Sequence, residues 1–381
     1  MRYRERLQAF YARLTPNADL AFLPIGSDLQ YLTGIPRDLP TYGATLHPGQ
    51  WLEGGWFVPG QTPIIALPRM TAEYGCLAID DAYQLRILGD HESPIALAKT
   101  LLRDARLPLK PRIAVSDRAH AETLVQLQAL LPHAVFVSAS DLLRPLRQIK
   151  DAEEIALMQR AGAITEAAFG AVLRQLRLGM TELDVIAEVD YQLRQHGALG
   201  PSFTTSLYNS GPNTPLLFGQ RERSWRRTIE PPVAVLFDFG AAVDGMCYDY
   251  GRTVAFGAPS AEFERIYHTV MEAQQAGIQA LRAGAHSAEA VDRAARDVIE
   301  AAGYGALFRH RLGHGIGLDV HEPPFLTAGD DTPLASGMLF TIEPSIMQPH
   351  DFSARVEDVV VAAPGGGQPL TQGFQSLSVV E

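Results

Sequence analysis

Cysteine is nearly absent from this chain. Only Cys76 and Cys247 occur, far apart and in no metal-like spacing. A disulfide framework is thereby excluded and a cysteine-ligated zinc disfavoured. Basic charge is also short: 32 lysines and arginines face 43 aspartates and glutamates, a formal net charge of −11. Sequence-independent nucleic-acid binding needs a basic surface, so nucleic acid is not an expected partner. No apolar run is long enough to span a bilayer, and no membrane partner is expected. The opening "MRYRERLQAFYARL" is charged and amphipathic, without the apolar core and cleavage site of a signal peptide. A cytoplasmic location is the expectation.

At 381 residues the chain suits two domains. In the first part, helical and strand patterns alternate. "ADLAFLPI", "TPIIALP", "RIAVS" and "AVFVSA" read as strands, and "SPIALAKTLLRDARL" and "AHAETLVQLQALL" as helices. This predicts an α/β layer over residues 1–146. Within it, "GIPRDLPTYGATLHPGQWLEGGWFVPG" reads as a long functional or interface loop. The second part, 147–381, reads as amphipathic helices near 151–176, 181–197, 260–282 and 286–302 with strand hairpins near 233–256 and 337–363. Helices plus antiparallel hairpins imply an α+β domain. Gly179 is expected to stop the first of these helices, and Thr181 to cap the next.

The chemistry concentrates in this second part. "VAVLFDFGAAVDGMCYDYGRTVAFG" is two strand-like runs joined by Asp244-Gly245, a hairpin signal. An even loop centred there sets Val243 opposite Met246 and Gly240 opposite Asp249. Asp238 and Asp249 then become diagonal neighbours on one face, with Cβ atoms roughly 7 Å apart. Two such carboxylates among apolar residues repel each other unless a cation neutralises them. The alternative is that Arg252 pairs with one of them. "LFTIEPSIMQPHDFSARVEDVVVA" adds Glu343 before a proline and Glu357 inside an apolar run. Arg355 shares a face with Glu357 and Asp358 takes the other. Here the alternative is a Glu357–Arg355 pair on an edge strand. "HRLGHGIGLDVHE" contributes His310, His314 and His321 on a glycine-rich backbone that permits a bend and a close approach by substrate. An oxygen-rich set with an imidazole suits manganese, cobalt, iron or zinc, as in two-metal hydrolytic sites.

These motifs, in this order, resemble the pita-bread metallopeptidases, whose members include aminopeptidase P, prolidase and methionine aminopeptidase. "SGPN" at 210–213, "LRQIKDAEEIALMQRAG" and the early "YLTG" extend the likeness over nearly the whole chain, toward the Xaa-Pro-cleaving branch. The resemblance implies a creatinase-type α/β N-terminal domain and a pita-bread catalytic domain. It implies two divalent ions, manganese or cobalt first and zinc or iron next, held by Asp238, Asp249, His314, Glu343 and Glu357. Asp249 and Glu357 would bridge them, and Arg355 would orient a ligand carboxylate. Glu343 would double as general base, His321 would meet the scissile carbonyl, and His310 would line the pocket. The implied activity is hydrolysis of the N-terminal bond of short peptides, Xaa-Pro above all, by a metal-bridging hydroxide, in a homodimer.

The sequence departs from that pattern at Phe218. The family carries a histidine there, five residues after the asparagine of the "SGPN"-like segment, and a phenyl ring donates no hydrogen bond. Three alternatives therefore stay open: a dipeptidase for non-prolyl substrates such as Met-Xaa, a metal-dependent hydrolase of a small non-peptide C–N bond, and a non-catalytic binding protein. Arg37 is a candidate for a dipeptide carboxylate. Trp51 and Trp56, in the Gly/Pro-rich stretch, are candidate dimer contacts.

Overall fold

The computed structural model describes residues 3–37, 47–74 and 82–381. It divides into two compact units, Met1–Arg147 and Gln148–Glu381. Cys76 and the middle of the Gly/Pro-rich stretch, 38–46, lie outside the described residues.

The first unit is built on a six-stranded mixed sheet. Its strands run in the order Gln84–Leu88, Ile64–Pro68, Gly54–Phe57, Leu20–Pro24, Arg112–Val115 and Val135–Ser138. The last three are mutually parallel, whereas Gly54–Phe57 is antiparallel to both of its neighbours. That strand corrects the expectation of a loop. "GGWF" has no alternating pattern because it is buried on both faces. The proposed dimer contacts are corrected as well. Trp51 and Trp56 are 4% and 3% exposed and belong to the unit's own core with Phe22, Leu52 and Leu127. Indoles sealed in this way have no surface to offer a partner.

The second unit packs long helices against antiparallel-rich sheets, the two larger ones of four and five strands. The helix Ala152–Leu173 opens with a reciprocal capping box between Asp151 and Glu154. It ends at Leu173, before Gly179, which instead takes a positive φ of 86° in the following turn. Thr181 caps Glu182–Gln195 as its sequence predicts, with Asp184 closing the box. Phe169, on the first helix, packs against Phe237, Phe239 and Tyr250 of the sheet behind it. Each such ring removed from water stabilises the unit by roughly 1.5–3 kcal/mol. On the other side Phe263, Ile266, Val270, Val291 and Ala295, from helices Ala261–Ala280 and Ala288–Ala301, cluster with Phe340 and Ile342. The strands between these layers are thus buried on both faces. A charged side chain projecting from them enters an apolar interior.

Candidate metal centre

The acidic hairpin has the register predicted from its turn. Val243 lies opposite Met246, Phe239 opposite Tyr250 and Asp238 opposite Gly251. Asp249, two residues before Gly251, is therefore the diagonal neighbour of Asp238. Gly251 also forms a bridge to Glu357 on its other side, with reciprocal main-chain hydrogen bonds of 3.2 and 2.9 Å. A Cβ at Gly251 would lie 2.9 Å from that of Glu357. The glycine lets the strand bearing Glu357 close onto the hairpin, so three carboxylates meet across one residue without a side chain.

The remaining donors come from the neighbouring sheet. His314 sits in the short strand Gly313–Gly315, paired with Glu322–Leu326 and Leu339–Ile342. A Cβ on Gly313 would come within 1.9 Å of the Thr341 carbonyl oxygen. This corrects the expected role of the motif's glycines: Gly313 admits a neighbouring strand rather than substrate. His321 lies in the connection before Glu322, beyond a register shift at His314/Gly315. The chain thereby turns back on itself, and the two imidazoles meet edge to face at 4.1 Å. Glu343 follows directly after Leu339–Ile342. Thr341 ties it in, accepting a hydrogen bond from the His314 N–H at 3.1 Å and donating to Glu343 Oε1 at 3.3 Å.

Potential ligand atoms converge in overlapping groups, each within 4.8 Å: His314, Glu343 and Glu357; Asp238, Asp249 and Glu357; Asp249, His314 and His321. The first two share Glu357 and together contain all five predicted ligands. Arg355 reaches three of the carboxylates. It donates to Asp238 Oδ2 at 2.9 Å, contacts Glu343 closely, and sets Nη2 3.1 Å from Glu357 Oε2. Both alternatives considered for these acids are overturned. Arg252 pairs with Asp358 at 2.8 Å, not with Asp238 or Asp249. Glu357 does contact Arg355, but at 0% exposure it is no surface pair.

One guanidinium does not satisfy this cluster. Asp249 Oδ1 and both Glu357 carboxylate oxygens are buried without a hydrogen bond. Burial, then the neighbouring carboxylates, push Asp249 and Glu357 well above the usual carboxylate range. Burial raises Asp238 as well, against the pull of Arg355. Burial also works to raise Glu343, but Arg355 and His314 outweigh it and its value falls. Burial drives His314 down to about 4. Its Nδ1 lies 3.1 Å from the Gly315 carbonyl oxygen, a contact only the Nδ1–H tautomer satisfies. The lone pair of Nε2 then faces Glu343 Oε1 at 3.4 Å and Asp249 Oδ2 at 3.7 Å. A lone pair aimed at ionised carboxylate oxygens is repulsive unless a proton or a metal cation lies between them. The donor set fits divalent ions.

The cluster floors a cavity of about 880 Å³ lined by Tyr208, Phe218, His310, Arg311, His321 and Phe325 among others. His310 is engaged at both ring nitrogens, with Ser345 Oγ at 2.6 Å and the Arg311 carbonyl at 2.7 Å. Burial, then the Arg311 charge, hold His321 below the ordinary imidazole range. Phe218 stacks on Tyr208 with centroids 5.1 Å apart and planes at 17°. Arg37 is a residue of the first unit and is not among the lining residues. Sequence reasoning missed Thr341, Ser345, Tyr208 and Arg311. The two hydroxyls and the tyrosine carry no motif signal, whereas Arg311 stood unexplained inside the histidine segment.

The sequence pattern of Metallopeptidase family M24 matches residues 156–364. The chain belongs to this family. It is 33% identical to a Xaa-Pro dipeptidase of Lactobacillus helveticus over 368 residues, 96% of this chain and 95% of that protein. A solved prolidase from Thermococcus sibiricus superposes with a TM-score of 0.89 at 29% identity, covering all of both chains. Dipeptidase PepE from Mycobacterium ulcerans gives 0.83 at 32% identity, covering 99% of this chain and 98% of that one. The protein is thus an M24 metallopeptidase with the pita-bread fold, and the expected fold class holds. Divalent metal ions are implied by the family, and peptides are its substrates. Among the described residues, no helix is long and apolar enough to cross a membrane.

Proposed function

We propose that this M24 metallopeptidase hydrolyses Xaa-Pro dipeptides at a dinuclear centre. The observation that carries the reading is the pair of ligand groups sharing Glu357, with orphaned oxygens on Glu357 and Asp249. Asp238, Asp249, His314, Glu343 and Glu357 would hold two divalent cations. Such ions, once bound, bring a water toward deprotonation near neutral pH and polarise a carbonyl. Manganese or cobalt suits so oxygen-rich a set.

The chain's own residues supply the rest. Arg355 orients three carboxylates through its contacts to them and favours their ionised forms, enough at Glu343 to lower its value. Glu343, with its value lowered, is an available base. It takes a proton from the attacking water and returns it to the proline nitrogen as the C–N bond breaks. His321, neutral because its value is also lowered, offers an N–H to the scissile carbonyl oxygen. His310 lines the pocket and braces the wall through Ser345. The homodimer, which rests on family likeness, and the cytoplasmic setting belong to the same proposal.

A specific observation favours a second reading, cleavage of non-prolyl dipeptides. Phe218 presents a stacked ring where the family carries a hydrogen-bonding histidine. A panel of Xaa-Pro dipeptides, Xaa-Pro tripeptides and Met-Xaa dipeptides, assayed with manganese, cobalt or zinc, separates the two. Preferred hydrolysis of Xaa-Pro dipeptides is expected, and Met-Xaa preference would favour the second reading. Glu357→Ala should remove both bound metal and activity. Full activity in that variant without metal would end the dinuclear mechanism.

A further inference from the structure

Three arginines line the catalytic cavity: Arg221, Arg311 and Arg355. Arg355 is committed to Asp238, Glu343 and Glu357. Arg221 lies on an exposed short helix with its guanidinium 6.0 Å from the Trp225 ring centre, where water solvates it. Arg311 differs from both. It is half-buried, and among the described residues no carboxylate pairs with it. Its Nε is enclosed and finds no acceptor. The Phe325 ring lies 4.8 Å from its guanidinium carbon. That contact holds the side chain in place while leaving its donors unused. A half-buried cation without a counter-ion is costly.

Arg311 also stands at the right point along the chain. It precedes His314 by three residues and shares the cavity wall with His321. The terminal carboxylate of a dipeptide lies only one residue, ~3.8 Å, beyond the scissile bond. In a longer peptide or an amidated one, that position carries a neutral amide.

Resting on the peptidase reading above, we propose that Arg311 is a specificity-determining residue that receives the free C-terminal carboxylate of a dipeptide. The guanidinium fork matches a carboxylate with two parallel hydrogen bonds. The substrate thus brings the counter-ion that the protein lacks, and peptides without a carboxylate there forgo the contact. Arg311 touches substrate away from the scissile bond and reaches turnover only through its charge beside His321, an effect common to every peptide, so its loss bears hardest on binding of the free acid.

The test compares the metal-loaded wild type with Arg311→Gln and Arg311→Lys on an Xaa-Pro dipeptide and on its C-terminal amide. In Arg311→Gln, KM for the free acid should rise about 10- to 100-fold, a larger change than that in kcat. The amide should lose far less than the acid, and Arg311→Lys should recover part of the acid's loss. An equal loss on acid and amide would overturn the proposal, because a merely structural role moves both. So would a wild type indifferent to the amide. Calorimetry with a non-hydrolysable reduced dipeptide, as acid and as amide, separates this inference from the peptidase reading. If the wild type cleaves no peptide, that reading fails. An acid-over-amide preference that disappears in Arg311→Gln still supports the carboxylate site, and no such preference, or no binding, overturns it.

Discussion

Arg355 has the most exposed role in the charge balance of the site. It is the one guanidinium among four converging carboxylates, and it touches three of them. Two functions are compatible with that geometry: orienting the ligands for cations, or standing in for a cation. They differ in sign. If Arg355 orients, Arg355→Ala weakens metal affinity by about 10- to 100-fold, and lysine recovers little because a point charge cannot span three acceptors. If it substitutes for a cation, removing it leaves affinity unchanged or tighter. We expect the weakening, read from metal content against a graded chelator. Phe218 is the second decisive residue. It is 66% exposed, held by its stack on Tyr208, and offers no donor to a developing oxyanion. Restoring a donor with Phe218→His should raise turnover on Xaa-Pro dipeptides. A sharp fall in kcat/KM would instead show that the aromatic stack shapes the substrate.

The strands place the ligands by close approach, and glycine makes that approach feasible. Gly251→Ala would force a methyl group to 2.9 Å from the Glu357 Cβ, so the bridging strand must move by a few tenths of an ångström or more. Because Glu357 is common to both ligand groups, metal affinity should drop at least about 10-fold while far-UV circular dichroism stays native. Retained affinity would mean that Glu357 has freedom the bridge does not suggest. Gly313→Ala meets a backbone carbonyl at 1.9 Å and should damage folding itself. The contrast explains what a linear sequence can convey. The Asp238–Asp249 relation was legible because a two-residue turn fixes hairpin register, and the opposite faces of Glu357 and Asp358 follow from the two-residue period of a strand. The bridge between Gly251 and Glu357 joins residues far apart in sequence, with no local signal to announce it. The strand Gly54–Phe57 was hidden for a related reason: burial on both faces erases alternation, and its glycines imitate a loop.

At the scale of the whole molecule, the metal centre is a load on the fold that cations relieve. Asp238, Asp249 and Glu357 are all raised by burial above the values of an unfolded chain, 3.8 for the aspartates and 4.5 for the glutamate. A carboxylate whose folded value is raised binds more protons folded than unfolded. Its contribution to stability is therefore complete below the unfolded value and is lost as pH rises through the folded one. Glu343 shifts the other way, and so do His310, His314 and His321, whose lowered values make their own contributions rise with pH up to the unfolded imidazole value of 6.5. At Asp238, Asp249 and Glu357 the metal-free protein should accordingly lose stability as pH rises above their unfolded values. Cations reverse this, since they bind the ionised form that the empty fold disfavours. His314, down at about 4, offers a free Nε2 at any higher pH. At a hundred-fold excess over Kd the metal adds about 2.7 kcal/mol, or several degrees in Tm for a unit of this size. The gain in Tm on adding manganese should therefore grow as pH rises above the unfolded carboxylate values, as protons cease to compete. Thermal unfolding followed with chelator and with manganese across that rise in pH measures it. A gain independent of pH would mean that the carboxylates are already ionised in the metal-free fold, with Arg355 alone compensating them.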